Sequence, residues 1–329
     1  MTIRVAAIEV SHWHSLWDSA YLRHLRGMPD VELVGLHDPD PAIAAHRAAE
    51  LGNPPTFTDY RQMIAQTRPD FVIALGRHDR MPETAHYLLD EGVPFLMEKP
   101  MGVSAKDVES IAEKAAAKRA FVAVPLGQRY LPFTVRAREL LAQQRFGPVS
   151  HIYVRLNRPT SARYPAWGAT WMLDPKHAGG GCLRNLGPHG LDLFLHLTGE
   201  AADVTGAQLS HRALGQAVED YASVLLRSAS GVLGTIEVGN TFPRPGYDSQ
   251  WKVSGRDAIL VTGDEKLRFV TATGEEVTAA EPDKPVAWYA VRDALDHFQR
   301  GAPAPIGVEA CLRAVRLIDR AYEIARRVG

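Results

Sequence analysis

The sequence has few of the features that define several common classes of protein. Cys182 and Cys311 are its only cysteines in 329 residues, which is too few for a disulfide framework or for a cysteine-rich zinc site. No apolar run approaches the roughly 20 residues that a membrane-spanning helix needs. The first residues lack the basic segment and the apolar core of a signal peptide. We therefore expect a soluble, cytoplasmic protein.

An excess of charge of either sign is also absent. The chain carries 37 Lys and Arg residues against 38 Asp and Glu residues, so no basic surface for nucleic acid or for an acidic membrane is indicated. Hydrophobic residues make up 46% of the chain and charged residues 23%, which is ordinary for a globular protein. We expect no nucleic-acid or membrane partner, and the length favours two domains.

The first 120 or so residues alternate between short apolar strands and amphipathic helices. Strands are predicted at 3–8, 31–36, 71–75, 94–97 and 121–124, and helices at 42–51, 59–66, 82–91 and 105–119. A further helical pattern begins at Ser15. Strands separated by helices of this length are typical of βαβ units. Strands that are apolar throughout, such as FVIAL at 71–75, favour a parallel sheet covered by helices on both faces.

The pattern changes after Val124. A helix at 132–144 and a strand at 151–156 precede a polar, aromatic segment that reaches Gly181. Repeated strands between 204 and 277 predict a meander of antiparallel strands, and helices at 287–300 and 308–327 close the chain. The predicted fold class is α/β. A nucleotide-binding domain is expected over residues 1–124, and an α/β domain with an open, mostly antiparallel sheet over 125–329.

The turn after the first strand contains no glycine. It lies within VAAIEVSHWHSLW, residues 5–17, and contains Glu9, Ser11, His12, Trp13 and His14. Nucleotide-binding proteins place glycines here so that the backbone can approach a pyrophosphate. Three hypotheses stay open for this turn. It is a modified dinucleotide site contacted by Ser11, His12 and Trp13, or a lost cofactor site in a binding or regulatory protein, or a metal site on the two histidines. Because spacing fixes no third ligand, we favour the first hypothesis and expect no metal.

Two charged residues follow later strands, at the edge where parallel sheets bind ligands. After the second strand, Asp38 is placed to accept hydrogen bonds from ribose hydroxyls and to repel a 2′-phosphate, which predicts NAD rather than NADP. The alternative is a turn-forming aspartate before Pro39. Lys99 lies in the EKP tripeptide, residues 98–100. A partly desolvated lysine can act as an acid or polarise a substrate oxygen, and a surface lysine is the alternative.

The segment AGGGCLRNLGPHGLDLFLHL, residues 178–197, combines three glycines with polar residues at helical spacing. Asn185, His189 and Asp192 share one helix face. His189 is the natural acid–base candidate because the ordinary pKa of histidine is near neutrality, whereas a structural role is the alternative. Since proline is comfortable only in the first turn of a helix, Pro188 predicts that Asn185 lies just outside the helix.

These motifs together resemble the glucose–fructose oxidoreductase, inositol dehydrogenase and rhizopine-catabolism (Gfo/Idh/MocA) family. The resemblance runs over essentially the whole chain, through YRQMIAQTRPDFVIAL, ETAHYLLDEGVPFLMEKPMGVSAKD, GQRYLPFTVRARELLAQQRFGPV and GGGCLRNLGPHGLDLFLHLTG. It implies a Rossmann domain followed by an α/β domain whose open sheet often packs in oligomers, and hence a homo-dimer or homo-tetramer. The glycine-free turn departs from the family's G-x-G-x-x-G pattern.

The resemblance also implies roles for individual residues. Lys99 and His189 match the family's catalytic lysine and histidine, Asn185 stands where the family usually has aspartate, and Asp192 matches an acid that supports the helix. With the residues of the turn included, the expected cofactor-binding residues are Ser11, His12, Trp13, Asp38, His78, Glu98 and Lys99. The expected substrate-binding residues are Arg129, Tyr164, Trp167, Asn185 and His189. The two aromatic residues suit the faces of a sugar ring, and an interdomain or oligomer contact is their alternative role.

The implied activity is reversible hydride transfer between the nicotinamide of NAD(P) and a hydroxyl carbon of a sugar, polyol or related compound. His189, with Lys99 and Asn185 beside it, would take the hydroxyl proton as the hydride leaves. Two other functions stay open. One is a redox-assisted lyase or glycosidase that retains its NAD, and the other is a non-catalytic or regulatory ligand-binding protein.

Overall fold

A computed structural model of the protein describes residues 2–328, with side chains up to residue 326, and contains two sheets with helices packed against both. The first sheet is formed by β1 (Ile3–Ile8), β2 (Val31–His37), β3 (Thr56–Phe57), β4 (Phe71–Ala74), β5 (Phe95–Met97) and β6 (Val122–Ala123). The helices between these strands are α1 (Tyr21–Arg26), α2 (Pro41–Glu50), α3 (Tyr60–Thr67), α4 (Met81–Asp90) and α5 (Ala105–Lys118). The predicted α/β class is confirmed.

The first sheet is parallel throughout, in the order β3-β2-β1-β4-β5-β6. This is the strand order of a Rossmann domain, in which ligands bind where the order reverses, here between β1 and β4. Side-chain caps fix the starts of several helices. The carboxylates of Asp40 and Asp59 cap α2 and α3, and Ser104 with Asp107 forms a capping box on α5.

The first helix begins later than the sequence predicts. The segment after β1 forms a short 3-10 turn at Trp13–Ser15, and α1 starts only at Tyr21. Asp18 and Ala20 adopt left-handed backbone angles, with φ of 54° and 48°, and such angles interrupt a right-handed helix. The prediction of a helix from Ser15 onward is therefore wrong, although the apolar residues that suggested it are buried.

The second sheet has eight strands. They are β7 (Val149–Pro159), β8 (Ala202–Ser210), β9 (Tyr221–Ser228), β10 (Leu233–Phe242), β11 (Asp248–Gly255), β12 (Ala258–Gly263), β13 (Lys266–Thr271) and β14 (Gly274–Ala279). The helices of this part are α6 (Pro132–Ala142), α7 (Arg163–Ala166), α8 (Pro175–Ala178), α9 (Cys182–Thr198), α10 (Val286–Gln299) and α11 (Val308–Val328).

The order of the second sheet corrects the predicted meander. Strand β7 lies between β10 and β11 and runs parallel to β10, while the remaining neighbours pair antiparallel. After β10 the chain passes Pro243 and Pro245, which lack the backbone N–H that a continued ladder would need. Strand periodicity predicted most of these strands, but their pairing depends on contacts between distant residues.

Helix α9 lies directly on the second sheet. A Cβ at Gly190 would stand 2.6 Å from Cγ2 of Ile236 on β10, so a glycine permits this close approach. The helix continues through Pro188, and Asn185 lies in its first turn, which corrects the prediction that Asn185 is outside it. An interior proline costs about 3 kcal/mol, but a buried leucine contributes about 1.5–3 kcal/mol, and α9 buries six.

The last two helices return to the first sheet, and the final one also packs on the second. Helix α10 adds Val291 and Leu295 to the core on one face of the first sheet. Helix α11 adds Val315 to the core on the other face and Ile318 to the core of the second sheet. The domain boundary near residue 124 stays a prediction, and the chain returns across it. In the described part, 2–328, the structure has no helix with the length and apolarity needed to cross a membrane.

Candidate active site

A cavity lies between the two sheets, at the carboxyl end of β5 and the first turns of α9. Six of the side chains around it come from four parts of the chain: Trp13, His14, Lys99, Tyr164, Asn185 and His189. The structure therefore brings together the two predicted catalytic residues, Lys99 and His189. It adds His14 from the glycine-free turn.

Lys99 is buried, with an exposed fraction of 3%, and its ammonium group is held by Asn185. Nζ donates to the backbone oxygen of Asn185 at 2.9 Å and to Oδ1 at 2.7 Å, and it lies 3.6 Å from Oε1 of Glu98. Burial lowers the pKa of Lys99, and the Glu98 carboxylate opposes that effect. An ammonium group with a lowered pKa is suited to give up a proton or to polarise a substrate oxygen.

His189 presents a nitrogen with no protein partner. Its Nδ1 is buried and has no hydrogen-bond partner among residues 2–326, although buried polar atoms normally have one. Burial lowers the pKa of His189 to about 3, and the nearby Lys99 ammonium contributes. The imidazole is therefore neutral at physiological pH, and its side chain lines the cavity. Because Nδ1 is inaccessible, the other ring nitrogen, Nε2, is the one that can meet a hydroxyl group in the cavity.

Glu98 is the central acid beneath the cavity, with an exposed fraction of 1%. Oε2 accepts hydrogen bonds from His14 Nδ1 at 2.9 Å and from the Tyr21 hydroxyl at 2.7 Å. His14 Nε2 also lies 3.4 Å from Asp18. Burial alone would lower the pKa of His14, but the Glu98 carboxylate raises it above its ordinary value. His14 is thus an imidazolium between two carboxylates.

The sequence pattern indicates His14 only as a candidate metal ligand in the turn, and it does not indicate Asp18 or Tyr21. His14 and Tyr21 contact Glu98, and Asp18 contacts Arg158, and each of these partners is more than 70 residues away in the chain. No group of three or more His, Cys, Asp or Glu side chains in the described region is arranged to hold a metal ion. The two histidines of the turn are used differently, since His12 packs on an aromatic ring.

One residue of the glycine-free turn has a backbone angle that usually favours glycine. Glu9 has a left-handed φ of 54°, and Ser11 N donates to Oδ2 of Asp38 at 2.6 Å. The Glu9 carboxyl lies between the ends of β1 and β4, where Oε2 accepts from the backbone N–H of Arg77 at 3.2 Å. A Cβ at Gly76 would lie 2.7 Å from that oxygen.

This edge fits NAD once the charge of Glu9 is considered. A pyrophosphate between β1 and β4 would be repelled by an ionised carboxylate. Burial raises the pKa of Glu9 from 4.5 to about 7, so its neutral form is accessible near neutral pH. Asp38 stands after β2, at the position of the ribose-binding acid. Its carboxylate is almost fully buried and also accepts from Asp40 N at 3.1 Å.

The other predicted cofactor residues form an aromatic layer that reaches the second domain. His12 stacks on Trp13 with 3.9 Å between ring centroids, and Trp13 lies 6.0 Å from the parallel ring of Trp167. His78 packs edge-on against Trp171 at 5.0 Å, and its Nδ1 lies 2.8 Å from the backbone oxygen of Ala178. Burial lowers the pKa of His78 to about 3. Trp13 thus packs into the interdomain cleft.

Arg129 and Asp192 are paired with each other. The guanidinium donates from Nε at 2.8 Å and from Nη2 at 2.6 Å to the two carboxylate oxygens of Asp192. The bond joins the segment before α6 to α9, in line with a supporting role for Asp192. Arg129 is not among the side chains that line the cavity in the described structure, and its substrate contact stays a prediction.

Two family models match the chain. One, an oxidoreductase family with an NAD-binding Rossmann fold, covers residues 16–125. The other, the C-terminal domain of GFO/IDH/MocA proteins, covers residues 134–261. Together the matches span most of the chain, which therefore belongs to the Gfo/Idh/MocA family of oxidoreductases, as the motifs predicted. The first match begins just after the glycine-free turn.

Relatives and solved structures agree with this assignment. The rhizopine catabolism protein MocA of Rhizobium meliloti is 26% identical over 67% of either chain. D-xylose 1-dehydrogenase (NADP(+)) 2 of Haloferax volcanii is 24% identical over 89% of this chain and 90% of its own. A match to the Bacillus subtilis oxidoreductase YteT is 29% identical but spans only 29% of that protein.

A solved inositol dehydrogenase homologue from Azotobacter vinelandii, complexed with NAD+, has a TM-score of 0.85. It is 20% identical, over all of this chain and 96% of its own. Levoglucosan dehydrogenase in complex with NADH and levoglucosan has a TM-score of 0.87 at 16% identity, over all of this chain and 98% of its own. At these identities the likeness shows the fold.

The raised pKa of Glu9 predicts a pH-dependent stability. A carboxyl that binds its proton more tightly when folded contributes stability below pH 4.5, and that contribution is lost as the pH rises through about 7. Glu9→Gln keeps the acceptor for Arg77 N and cannot ionise. We expect its free energy of unfolding, relative to wild type, to rise by roughly 3 kcal/mol between pH 4.5 and 8.

Urea denaturation at a series of pH values measures this difference. Glu83→Gln, on the exposed surface of α4, is the matched control and should follow wild type. Parallel pH profiles for Glu9→Gln and wild type would contradict the burial of an ionisable Glu9.

Proposed function

We propose that the protein is an NAD-dependent dehydrogenase that oxidises a hydroxyl carbon of a sugar, polyol or related compound, and reduces the carbonyl in reverse. The observation that carries this proposal is the neutral imidazole of His189 and the buried ammonium of Lys99, which line the same cavity. Relatives named as xylose and dihydrodiol dehydrogenases support this substrate class.

The residues have distinct tasks in this reaction. NAD, when bound at the edge between β1 and β4, supplies the hydride acceptor. The residues that would hold it are Ser11, His12, Trp13, Asp38, His78, Glu98 and Lys99. The neutral ring of His189 accepts the proton of the substrate hydroxyl through Nε2, since Nδ1 is buried away from the cavity. Asn185 directs two of the three ammonium hydrogens of Lys99 and leaves one for the substrate oxygen.

Substrate contacts are proposed for Tyr164, which lines the cavity, and for Asn185. Trp167 stacks on Trp13 and lines a neighbouring depression instead, so we propose that it holds Trp13 in place as well as bordering the entrance.

Replacing the proposed base should slow turnover strongly but should not weaken cofactor binding. We expect His189→Ala to lower kcat by about 10²- to 10⁴-fold, the usual contribution of a general base, with unchanged NADH affinity. Stopped-flow absorbance of NADH, with a screen of sugars and polyols as substrates, measures kcat. Calorimetry measures the affinity for NADH.

His196→Ala is the matched control, because His196 lies two turns along the same helix and outside the cavity-lining set. It should keep wild-type kcat. Equal activity of His189→Ala and wild type would assign the proton transfer to another group. Turnover of substrate without net NADH formation would instead favour a lyase or glycosidase that retains its NAD.

The acid at residue 38 predicts a preference for NADH over NADPH. Asp38 is almost fully buried, and its two oxygens accept the backbone N–H groups of Ser11 and Asp40. These neutral donors hold the carboxylate in place without cancelling its charge, which would repel a 2′-phosphate. Calorimetric titration is expected to give at least about tenfold tighter binding of NADH. Asp38→Asn keeps an acceptor for Ser11 N and should reduce the difference between the affinities for NADH and NADPH. Binding of neither nucleotide would identify the turn as a lost cofactor site and the protein as a binding or regulatory protein.

We also propose a homo-dimer or homo-tetramer formed through the second sheet. Large apolar side chains are exposed on it: Leu225, Leu233, Ile259, Val270 and Val277. A second copy would cover this face, as open sheets in the family do. Light scattering after size-exclusion chromatography should give a mass of two or four chains, and a monomer would contradict the proposal. A cytoplasmic location stays a prediction from the sequence.

A further inference from the structure

Basic side chains outnumber acids around the cavity. The charged groups that line it are His14, Asp18, Lys99, Arg158 and Arg163, with Glu98 directly beneath. Because the Glu98 carboxylate raises the pKa of His14, the group contains four cations and two anions.

Both acids already have basic partners. Glu98 accepts from His14 at 2.9 Å and lies 3.6 Å from Lys99. Asp18 accepts from Arg158 Nη2 at 2.8 Å and lies 3.4 Å from His14. The carboxylates are therefore occupied by the other cations, and neither contacts Arg163.

Arg163 is half-buried and hydrogen-bonds only to uncharged groups in the described structure. Its guanidinium donates to the backbone oxygens of Pro159 and Thr160, to the Tyr164 hydroxyl at 2.9 Å and to Asn240 Oδ1 at 2.8 Å. No carboxylate of residues 2–326 lies within 4.0 Å of it. A guanidinium stays charged even where burial lowers its pKa, and an uncompensated partly buried charge is unfavourable.

A chain of neutral groups connects this charge to the reaction centre. Arg163 and Asn185 Nδ2 both donate to the Tyr164 hydroxyl oxygen, at 2.9 and 2.8 Å, and Asn185 Oδ1 accepts from Lys99 at 2.7 Å. Two cations thus flank two neutral side chains. The Tyr164 oxygen accepts two hydrogen bonds, which leaves its own hydrogen for an acceptor in the cavity. An amide at residue 185 leaves the chain without the negative charge that a carboxylate there would supply.

We propose that the substrate itself supplies this charge: the cavity takes a hydroxy compound that bears a carboxylate, such as an aldonic, uronic or small hydroxy acid. The carboxylate lies against Arg163 and the Tyr164 hydroxyl, while the reacting hydroxyl meets Lys99 and His189. This assignment rests on the proposed dehydrogenase function and narrows its substrate class.

Calorimetry with the NADH-loaded protein tests the assignment without requiring turnover. The probes are three pairs that differ in charge: D-gluconate and sorbitol, D-glucuronate and D-glucuronamide, and L-tartrate and L-threitol. In at least one pair the acid should bind about tenfold or more tightly than its neutral counterpart. Arg163→Gln and Asn185→Asp should each reduce that preference by about tenfold, since the first removes the cation and the second supplies the missing anion.

Arg256→Gln is the matched control. Arg256 is exposed and paired with Asp257, so its loss changes the net charge equally but should leave the preference unchanged. Asn185→Asp is nearly isosteric and serves as the second variant if Arg163→Gln does not fold. The inference is overturned if no acid binds up to about 10 mM, if all three pairs bind equally, or if both cavity variants retain the preference.

The outcomes separate this inference from the dehydrogenase proposal. Preferential binding of an acid with no NADH formed from any hydroxy acid would contradict the dehydrogenase and leave the anion site intact. NADH formation from neutral sugars, with no preference for acids, would support the dehydrogenase and contradict the anion site.

Discussion

The buried carboxylate of Glu98 is the group on which the rest of the site depends. It stands at the end of β5 and is almost inaccessible to solvent, so its charge is tolerable only with close partners. His14 and Tyr21 supply them from the turn and helix that follow β1, and Lys99 is next to it in the chain. One ion network therefore holds the glycine-free turn, the first helix and the EKP lysine in a single arrangement.

This arrangement explains how a turn without glycine has a place in a Rossmann domain. Glu9 adopts the left-handed angle that a glycine would normally take. Unlike a glycine-rich turn, this turn has large side chains that make contacts. His14 reaches Glu98, and Trp13 packs with Tyr164 and Trp167 of the second domain. The turn thereby becomes one wall of the cavity. It also places a carboxyl between β1 and β4, and burial raises the pKa of that carboxyl to about 7.

Local patterns predicted most of the secondary structure, because periodicity and capping depend on neighbours in the chain. The capping box at Ser104 and the strands of the first sheet lie where the pattern places them. The errors have specific causes. Left-handed residues delay α1, and the buried face of α9 outweighs the disruption by Pro188. The position of β7 between β10 and β11 depends on contacts between strands that are far apart in the chain, so the pattern within one strand cannot predict it.

The sequence by itself determined the α/β class and the family, and it singled out Lys99 and His189, which line one cavity, because these follow from short motifs and helical spacing. Only the tertiary structure decided which charges meet. The pairing of Glu98 with His14, the engagement of Arg129 by Asp192 and the lack of a carboxylate beside Arg163 in the described residues all join positions far apart in the chain. Electrostatic energy depends on separation and burial in space, and neither quantity is present in a linear sequence.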